Sequence, residues 1–174
     1  MGSRRPLNAD PLKAVRVRTF VETIEIATDP KRVWRALCIP AEVVCWDTGV
    51  VEPIDAPPDY PRAGQHVRWR YRFGPLRLIL HDRPTRVEPG SVLRSSIRLG
   101  PFAFDETYTL RDEGSSTTQL TAELSLTSPV PIIGPLLERI VGQPLARSTV
   151  RTSLASIKRH CEQASSSAGV ASRG

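Results

Sequence analysis

The feature that most constrains this chain is a series of alternating segments joined by very short turns. In residues 65–73, arginines alternate with the apolar side chains of Val67, Trp69, Tyr71 and Phe73. Later segments are separated by turns at Gly74-Pro75, Glu88-Pro89-Gly90, Gly100-Pro101 and Asp112-Glu113-Gly114. Such alternation is typical of half-buried β-strands. Parallel neighbours need a connection of about a dozen residues or more, so these strands are expected to form an antiparallel meander.

One long helical pattern follows the strands, from Pro135 to Gln163. The apolar face of its second half is marked by residues at helical spacing, namely Val150, Leu154, Ile157 and Cys161. This face changes direction near Gly142-Gln143-Pro144, where proline removes a backbone donor, so we expect a bent helix there. A single long helix after a meander predicts a sheet that curls around the helix and leaves room for a ligand between them.

A strand and two short helices are predicted at the start. The strand covers residues 16–27, and Asp29-Pro30 then supplies a helix N-cap and a proline at the first helical position. Pro40 ends this helix, and residues 41–46 form a second one. Four prolines between residues 53 and 61 predict a stiff loop that frames a cavity mouth. The predicted fold class is therefore α+β, with a curved antiparallel sheet of about seven strands around a long C-terminal helix.

Length and composition predict one domain. The 174 residues are expected to comprise a flexible arm at 1–14, a single ligand-binding domain at 15–163 and a disordered tail at 164–174. No apolar run approaches the roughly 20 residues of a membrane span, and the N-terminus lacks the apolar segment of a secretory signal. Three scattered cysteines indicate reduced thiols. We expect a cytoplasmic monomer or homodimer without stable membrane insertion.

The net charge is +6, with 21 arginines and only 3 lysines. Excess positive charge is compatible with a nucleic acid or an anionic membrane as partner. No recognition helix, zinc pattern or aromatic-basic motif accompanies the charge, so we do not expect nucleic acid binding. The face formed by Arg68, Arg70 and Arg72 leaves open an interaction with an acidic partner. Metal-binding, hydrolase, Walker and dinucleotide-binding motifs are missing from the sequence, so we expect no metal and no cofactor.

Four stretches resemble one known family. Residues 22–34 are similar to its opening strand and Val-Trp helix, and Trp46 stands where the family often closes its second helix. Val87-Glu88-Pro89-Gly90 resembles its mid-sheet turn, and residues 153–158 with Glu162 resemble the end of its final helix. From about Val17 to Gln163, the chain resembles the START/Bet v 1-like (SRPBCC) superfamily, and within it the bacterial polyketide cyclase/dehydrase and lipid-transport group. The resemblance implies a helix-grip fold with an apolar tunnel between sheet and helix.

Polar residues on apolar faces are the candidates for chemistry. Glu106 shares its face with Phe104 and Tyr108. A carboxylate in such a place costs several kcal/mol or acquires a raised pKa, which suits a general acid or base near pH 7. Glu22 is the second candidate, because the family fold pairs the first and last strands and would place the two carboxylates about 9–10 Å apart. For either carboxylate the alternative is an ion pair or a position at the edge of the cavity.

Arg147 is the candidate counter-charge on the long helix. It lies between the two apolar directions and would hold a carboxylate or a substrate enolate, or alternatively extend to the rim. Asp82 and His81 form a further candidate acid/base pair. The expected ligand-binding residues are Trp69, Tyr71, Ser95, Phe104, Tyr108 and Gln143.

The resulting functional hypothesis is a protein that binds a hydrophobic small molecule, polyketide-like or polyphenolic, in an internal cavity. It would catalyse cyclisation, dehydration or a related rearrangement, with Glu106 and Glu22 moving protons. Much of the rate would come from folding the substrate into one reactive conformation. The alternative is a non-catalytic carrier or sensor of a lipid or another hydrophobic ligand, which would use the same cavity.

Overall fold

The computed structural model describes residues 18–100, 102–126 and 143–171, with the side chains of the last stretch described from 147 to 163. In chain order the elements are strand β1 (Arg18–Ile26), helices α1 (Pro30–Cys38) and α2 (Pro40–Trp46), strands β2 (Val50–Pro53), β3 (Val67–Phe73), β4 (Leu76–Glu88), β5 (Val92–Leu99), β6 (Phe102–Gly114) and β7 (Thr117–Leu126), and helix α3 (Gln143–Ala171).

The strands form one antiparallel sheet in the order β1-β7-β6-β5-β4-β3-β2. Strands β2 to β7 therefore follow one another as a meander, and β1 pairs with β7. This confirms the predicted sheet of seven antiparallel strands. Glu106 on β6 lies opposite Ser95 on β5 and opposite Leu124 on β7. Directly paired residues share a face of the sheet, so these three side chains all point to the inner face.

The two short helices are fixed by their end residues. Asp29 caps α1, because its carboxylate accepts a hydrogen bond from the backbone N–H of Lys31 at 2.7 Å, and Pro30 occupies the first turn. At the end of α2, the indole N–H of Trp46 donates to the backbone oxygen of Ala36 at 2.8 Å. This bond ties the second helix to the first and holds the Trp46 ring in the core.

Helix α3 closes the core from the inner side of the sheet. Its predicted apolar face is buried, as Val150, Leu154, Ile157 and Cys161 show. The helix packs against β1, α1, α2 and β7. Polar contacts fix its position, since the Lys158 ammonium donates to the backbone oxygen of Glu25 at 2.7 Å and Glu162 accepts from the backbone N–H of Ala27 at 2.9 Å.

A cluster of charged side chains joins all three helices. Glu42 of α2 forms an ion pair with Arg32 of α1, and its Oε2 atom lies 3.2 Å from the Nε2 atom of His160 on α3. Burial alone would raise the pKa of Glu42, but the hydrogen bonds from Arg32 and His160 outweigh this effect and hold the pKa below its usual value.

The ends of α3 bear on two sequence predictions. Its described part begins at Gln143, and Pro144 is the second residue of that part. The first half of the predicted helix and the expected bend at Gly142 lie outside the described residues, as does the expected arm at 1–14. At its other end the helix continues to Ala171, through residues for which the sequence predicted a disordered tail. Alanine favours a helix, and each added residue contributes a further backbone hydrogen bond.

Candidate functional site

A cavity of about 80 Å³ lies between the inner face of the sheet and helices α1 and α2. Its wall is mostly apolar, formed by Leu37, Val43, Trp46, Val50, Tyr60, Trp69, Leu80, Leu93, Ile97 and Tyr108. Four polar residues interrupt this wall: Asp47, Asp82, Ser95 and Glu106. The cavity is a cleft that is partly open to solvent. A few polar groups in an apolar cleft are typical of small-molecule sites.

Glu106 is the central polar group. The hydroxyl of Tyr108 donates a hydrogen bond to its Oε1 atom at 2.8 Å. Burial raises the pKa of Glu106 to about 7, the bond from Tyr108 opposes this increase, and the nearby carboxyl groups of Asp47 and Asp82 add to it. Near neutral pH the protonated and ionised forms are therefore both well populated, so the residue can both take up and release a proton.

Asp82 on β4 is the second carboxyl group of the cavity. The hydroxyl of Tyr60, in the proline-rich loop, donates to its Oδ2 atom at 2.8 Å. Burial raises the pKa of Asp82, while the hydrogen bond from Tyr60 and the nearby side chains of Ser95 and Trp69 lower it by less. The ring of Tyr60 also packs edge-on against Trp69, with ring centroids 5.8 Å apart. The loop is thus fixed to the sheet at the cavity.

Asp47, at the end of α2, is the third carboxyl group. Burial raises the pKa of Asp47, although the backbone N–H groups of Gly49 and Val50 donate hydrogen bonds that oppose the increase. Its Oδ1 atom accepts from the Gly49 N–H at 2.9 Å. These bonds satisfy the carboxylate locally, which makes Asp47 part of the turn after α2 as well as part of the wall.

The tyrosines beside these acids act as hydrogen-bond donors. Burial, followed by the effect of the neighbouring carboxyl group, raises the pKa of both Tyr60 and Tyr108 well above the usual value. Burial likewise raises the pKa of Tyr71 to about 12. Their hydroxyls stay protonated at any physiological pH and cannot serve as proton acceptors in the ionised form.

Some of the predicted site residues meet in this cavity. Glu106, Trp69, Ser95 and Tyr108 all line it. Tyr71 and Phe104 lie half-buried on the same face of the sheet but do not line the cavity. The ring of Tyr71 instead lies against the backbone of Gly49, in space that a β-carbon at that position would occupy.

The other predicted residues lie elsewhere. Glu22 is outside the cavity and pairs with Arg151 of α3, with 3.1 Å between the Arg151 Nε and the Glu22 Oε1 atoms. Arg147 is exposed. The side chain of Gln143 lies outside the described residues. The structure therefore does not bring Glu22 or Arg147 to Glu106.

The suggested pair of Asp82 and His81 is wrong, because neighbouring residues of a strand point to opposite faces. His81 faces outward and stacks on His66, with ring centroids 5.3 Å apart. The outer arginine face is also largely neutralised, since Arg68 pairs with Asp55 at 2.7 Å and Arg70 pairs with Glu52 at 2.6 Å.

Sequence reasoning passed over Asp47 and Tyr60 and paired Asp82 with the wrong partner. The signal for Asp82 was present, because it shares the inward parity of Leu78 and Leu80. Tyr60 stands in the loop that the prolines identified, but nothing in the sequence indicates which way it points.

Within the described residues, no group of three His, Cys, Asp or Glu side chains could hold a metal ion. The described helices include none long and apolar enough to cross a membrane.

Comparison with solved structures places this fold among known ones. A START superfamily protein from Mycobacterium smegmatis superposes with a TM-score of 0.65 at 12% identity, covering 83% of this chain and 97% of that one. The Zhui aromatase/cyclase from Streptomyces sp. R1128 gives a TM-score of 0.64 at 15% identity, covering 85% of this chain and 95% of that one. A protein from Mesorhizobium loti gives a TM-score of 0.64 at 20% identity, covering 84% of this chain and 98% of that one. At these identities the likeness shows the fold alone and confirms the helix-grip prediction.

Comparison by sequence gives the family. Curated proteins yield no match. The family model described as polyketide cyclase / dehydrase and lipid transport matches residues 17–162, which is most of the chain and nearly the stretch over which the resemblance was expected. The chain therefore belongs to the polyketide cyclase/dehydrase and lipid-transport family.

Proposed function

We propose that the protein binds a polyketide-like or polyphenolic molecule in its cavity and catalyses its cyclisation or dehydration. The observation that carries the proposal is Glu106, a carboxyl group inside an apolar cleft with a pKa of about 7. A general acid or base works best when its pKa is near the working pH. The family and the aromatase/cyclase with the same fold support this reaction class.

The surroundings of Glu106 suit proton transfer from a carbon atom of the substrate. Tyr108 holds its Oε1 atom at 2.8 Å, which fixes the carboxylate and leaves the second oxygen for the substrate. In the ionised form Glu106 removes a proton from a carbon between two carbonyl groups. The resulting enolate carbon attacks a second carbonyl within the same chain and forms the new carbon–carbon bond. Glu106 then gives up this proton, so that the oxygen of the attacked carbonyl becomes a hydroxyl. For dehydration, Glu106 removes the second proton of the same carbon and passes it to the hydroxyl, which leaves as water.

The apolar wall contributes by shaping the substrate. Trp46 and Trp69 are buried at the cavity, and Tyr60 packs edge-on against Trp69. Flat aromatic surfaces favour a ring or a chain folded into the shape of a ring. Binding holds the two reacting carbons of one molecule in contact. The loss of chain entropy then occurs on binding and no longer adds to the barrier of the reaction step. The enclosed volume of about 80 Å³ takes the reacting end, while the remainder occupies the open mouth.

The proposal is tested with a linear poly-β-ketone supplied by a minimal polyketide synthase, with products separated by chromatography and mass spectrometry. The wild-type protein should change the ring pattern relative to spontaneous cyclisation. Glu106→Gln should lower the rate of the directed product by about 10²–10⁴-fold, the usual contribution of a general acid or base. Binding, followed by the fluorescence of Trp46 and Trp69, should remain. Glu123→Gln, on the exposed outer face of β7, is the matched control.

A carrier would give a different result. If Glu106→Gln forms the same products at the wild-type rate while the ligand still binds, the acid/base role is wrong. Native mass spectrometry of protein purified from its own host would then identify the cargo directly. Glu22→Gln tests the second carboxylate separately, and loss of the directed product in that variant would mean that Glu22 reaches the substrate despite its pairing with Arg151.

A further inference from the structure

Asp82 has a polar atom without a hydrogen-bond partner among the residues that the structure describes. The residue is 5% exposed, on the inner face of β4. Tyr60 donates to its Oδ2 atom at 2.8 Å. Ser95 and Trp69 also lie close to the carboxyl group and lower its pKa. Even so, the Oδ1 atom is buried without a hydrogen-bond partner among the described residues, at a position on the cavity wall.

An unpartnered buried oxygen is a point to which a ligand atom can bind. Leaving such an atom unpaired is unfavourable, so folded proteins seldom do so without a functional reason. Burial raises the pKa of Asp82. In the protonated form, the hydrogen bond that Oδ2 accepts from Tyr60 leaves Oδ1 to carry the proton. Oδ1 is then an O–H donor in a residue that lines the cavity.

The position of Asp82 complements that of Glu106. Asp82 lies opposite Ile97 on β5, and Glu106 lies opposite Ser95 on the other edge of the same strand. The two acids are therefore two strands apart and offset by two residues along the strands, about 12 Å between backbones, and both line one cavity. Burial is the main cause of the raised pKa of Glu106, and the carboxyl group of Asp82 adds to it, so ionisation of both acids at once is disfavoured.

We propose that Asp82, held by Tyr60, is a catalytic residue whose Oδ1 atom donates a hydrogen bond to a ketone oxygen of the ligand. The inference rests on the proposed function in that it places a carbonyl compound in the cavity. When the enolate carbon formed at Glu106 attacks the ketone carbon, the new carbon–carbon bond forms and the carbonyl π bond breaks. The ketone oxygen takes the proton from Oδ1. Glu106 then carries the proton removed from carbon; it releases this proton to solvent at the open mouth of the cavity, and Asp82 takes up a proton, which restores both groups.

Three probes of nearly identical shape separate the possible roles of Asp82. Acetophenone offers a carbonyl oxygen, isopropylbenzene offers no polar atom, and 1-phenylethylamine offers a cation. Binding to the full-length protein is followed at pH 6.5 by the indole N–H signals of Trp46 and Trp69 in nitrogen-15 spectra, since both rings line the cavity. Acetophenone should bind about five- to tenfold more tightly than isopropylbenzene, as one additional hydrogen bond predicts.

Variants assign this preference to Asp82. Asp82→Leu should abolish the preference for acetophenone, whereas Asp82→Asn should retain it, because the amide still donates a hydrogen bond. With the poly-β-ketone, however, Asp82→Asn should lose the directed product, since an amide cannot transfer the proton. Tyr60→Phe removes the bond that fixes Oδ2 and should reduce the preference. The control Glu123→Gln should behave as the wild type. If Asp82→Leu does not fold, the asparagine and phenylalanine variants carry the test.

The outcomes distinguish this proposal from the proposed function. If acetophenone and isopropylbenzene bind the wild type equally, the cavity binds apolar ligands and only the role of Asp82 is overturned. Tightest binding of 1-phenylethylamine would overturn it too, because Asp82 would then act as a carboxylate for a cation. Failure of all three probes to shift the Trp46 and Trp69 signals would overturn the ligand-binding function, and the role of Asp82 with it.

Discussion

Replacing Glu106 with glutamine should stabilise the protein at high pH and leave it unchanged at low pH. Glutamine has the same shape as glutamic acid, and its amide oxygen can still accept the hydrogen bond that Tyr108 donates at 2.8 Å. The substitution therefore removes the possibility of ionisation while keeping the packing. Any difference between the two proteins that depends on pH reports the free energy of placing a charge in the cavity.

The magnitude follows from the pKa of Glu106. Because burial raises this pKa from 4.5 to about 7, the folded protein binds the proton more tightly than the unfolded chain. The stabilisation from the protonated group is complete below about pH 4.5 and is lost as the pH rises through about 7. At about 1.4 kcal/mol for each pH unit between the two values, the loss is about 3 kcal/mol. Above pH 8, Glu106→Gln should thus be more stable by about 3 kcal/mol, or about 6–12 °C in Tm.

The measurement is chemical denaturation and thermal unfolding of both proteins from pH 5 to pH 8.5. The difference in the free energy of unfolding should be about 1 kcal/mol at pH 5, where the unfolded chain is already largely ionised, and should grow to about 3 kcal/mol by about pH 7. Glu123→Gln, which removes a carboxylate from the exposed outer face, is the control and should show no such growth. A gap of equal size at pH 5 and pH 8.5 would refute the claim that the cavity disfavours the charge of Glu106.

Two further predictions concern packing and the helix cluster. Gly49→Ala places a β-carbon in the space of the Tyr71 ring and should destabilise the fold by about 1–3 kcal/mol, measured by urea unfolding. The loss should be smaller when Tyr71 is also changed to serine. Equal losses with tyrosine and with serine at position 71 would contradict the clash. Glu42→Gln weakens the contacts to Arg32 and His160 and should cost about 1–3 kcal/mol at pH 7. Because the pKa of Glu42 is lowered, its contribution to stability is present above pH 4.5 and is lost as the pH falls below that value. The difference in unfolding free energy between wild type and Glu42→Gln should therefore disappear on titration with acid. A difference that stays constant with pH would argue against the ion pair.

Local patterns were sufficient for much of the site. Glu106 was predicted from its inward parity between Phe104 and Tyr108, and parity is a property of the strand itself. Trp69, Ser95 and Tyr108 were placed on the correct face by the same argument. The partners of these residues were harder to predict, because a partner comes from another element. Glu22 has inward parity too, yet Arg151 from α3 lies beside it and the cavity does not reach it.

The sequence by itself determined the order of elements, the antiparallel meander, the buried face of α3 and the family. The first three follow from periodicity, short turns and cap residues, which act over a few neighbours along the chain. The family was indicated by the resemblance of particular stretches and shown by the match of residues 17–162. Only the tertiary structure decided that Tyr60 reaches Asp82, that Asp47 joins the wall, and that Oδ1 of Asp82 remains unpartnered. Such contacts join residues far apart in sequence, and their geometry is set by the curvature of the sheet and by the packing of the loop between β2 and β3.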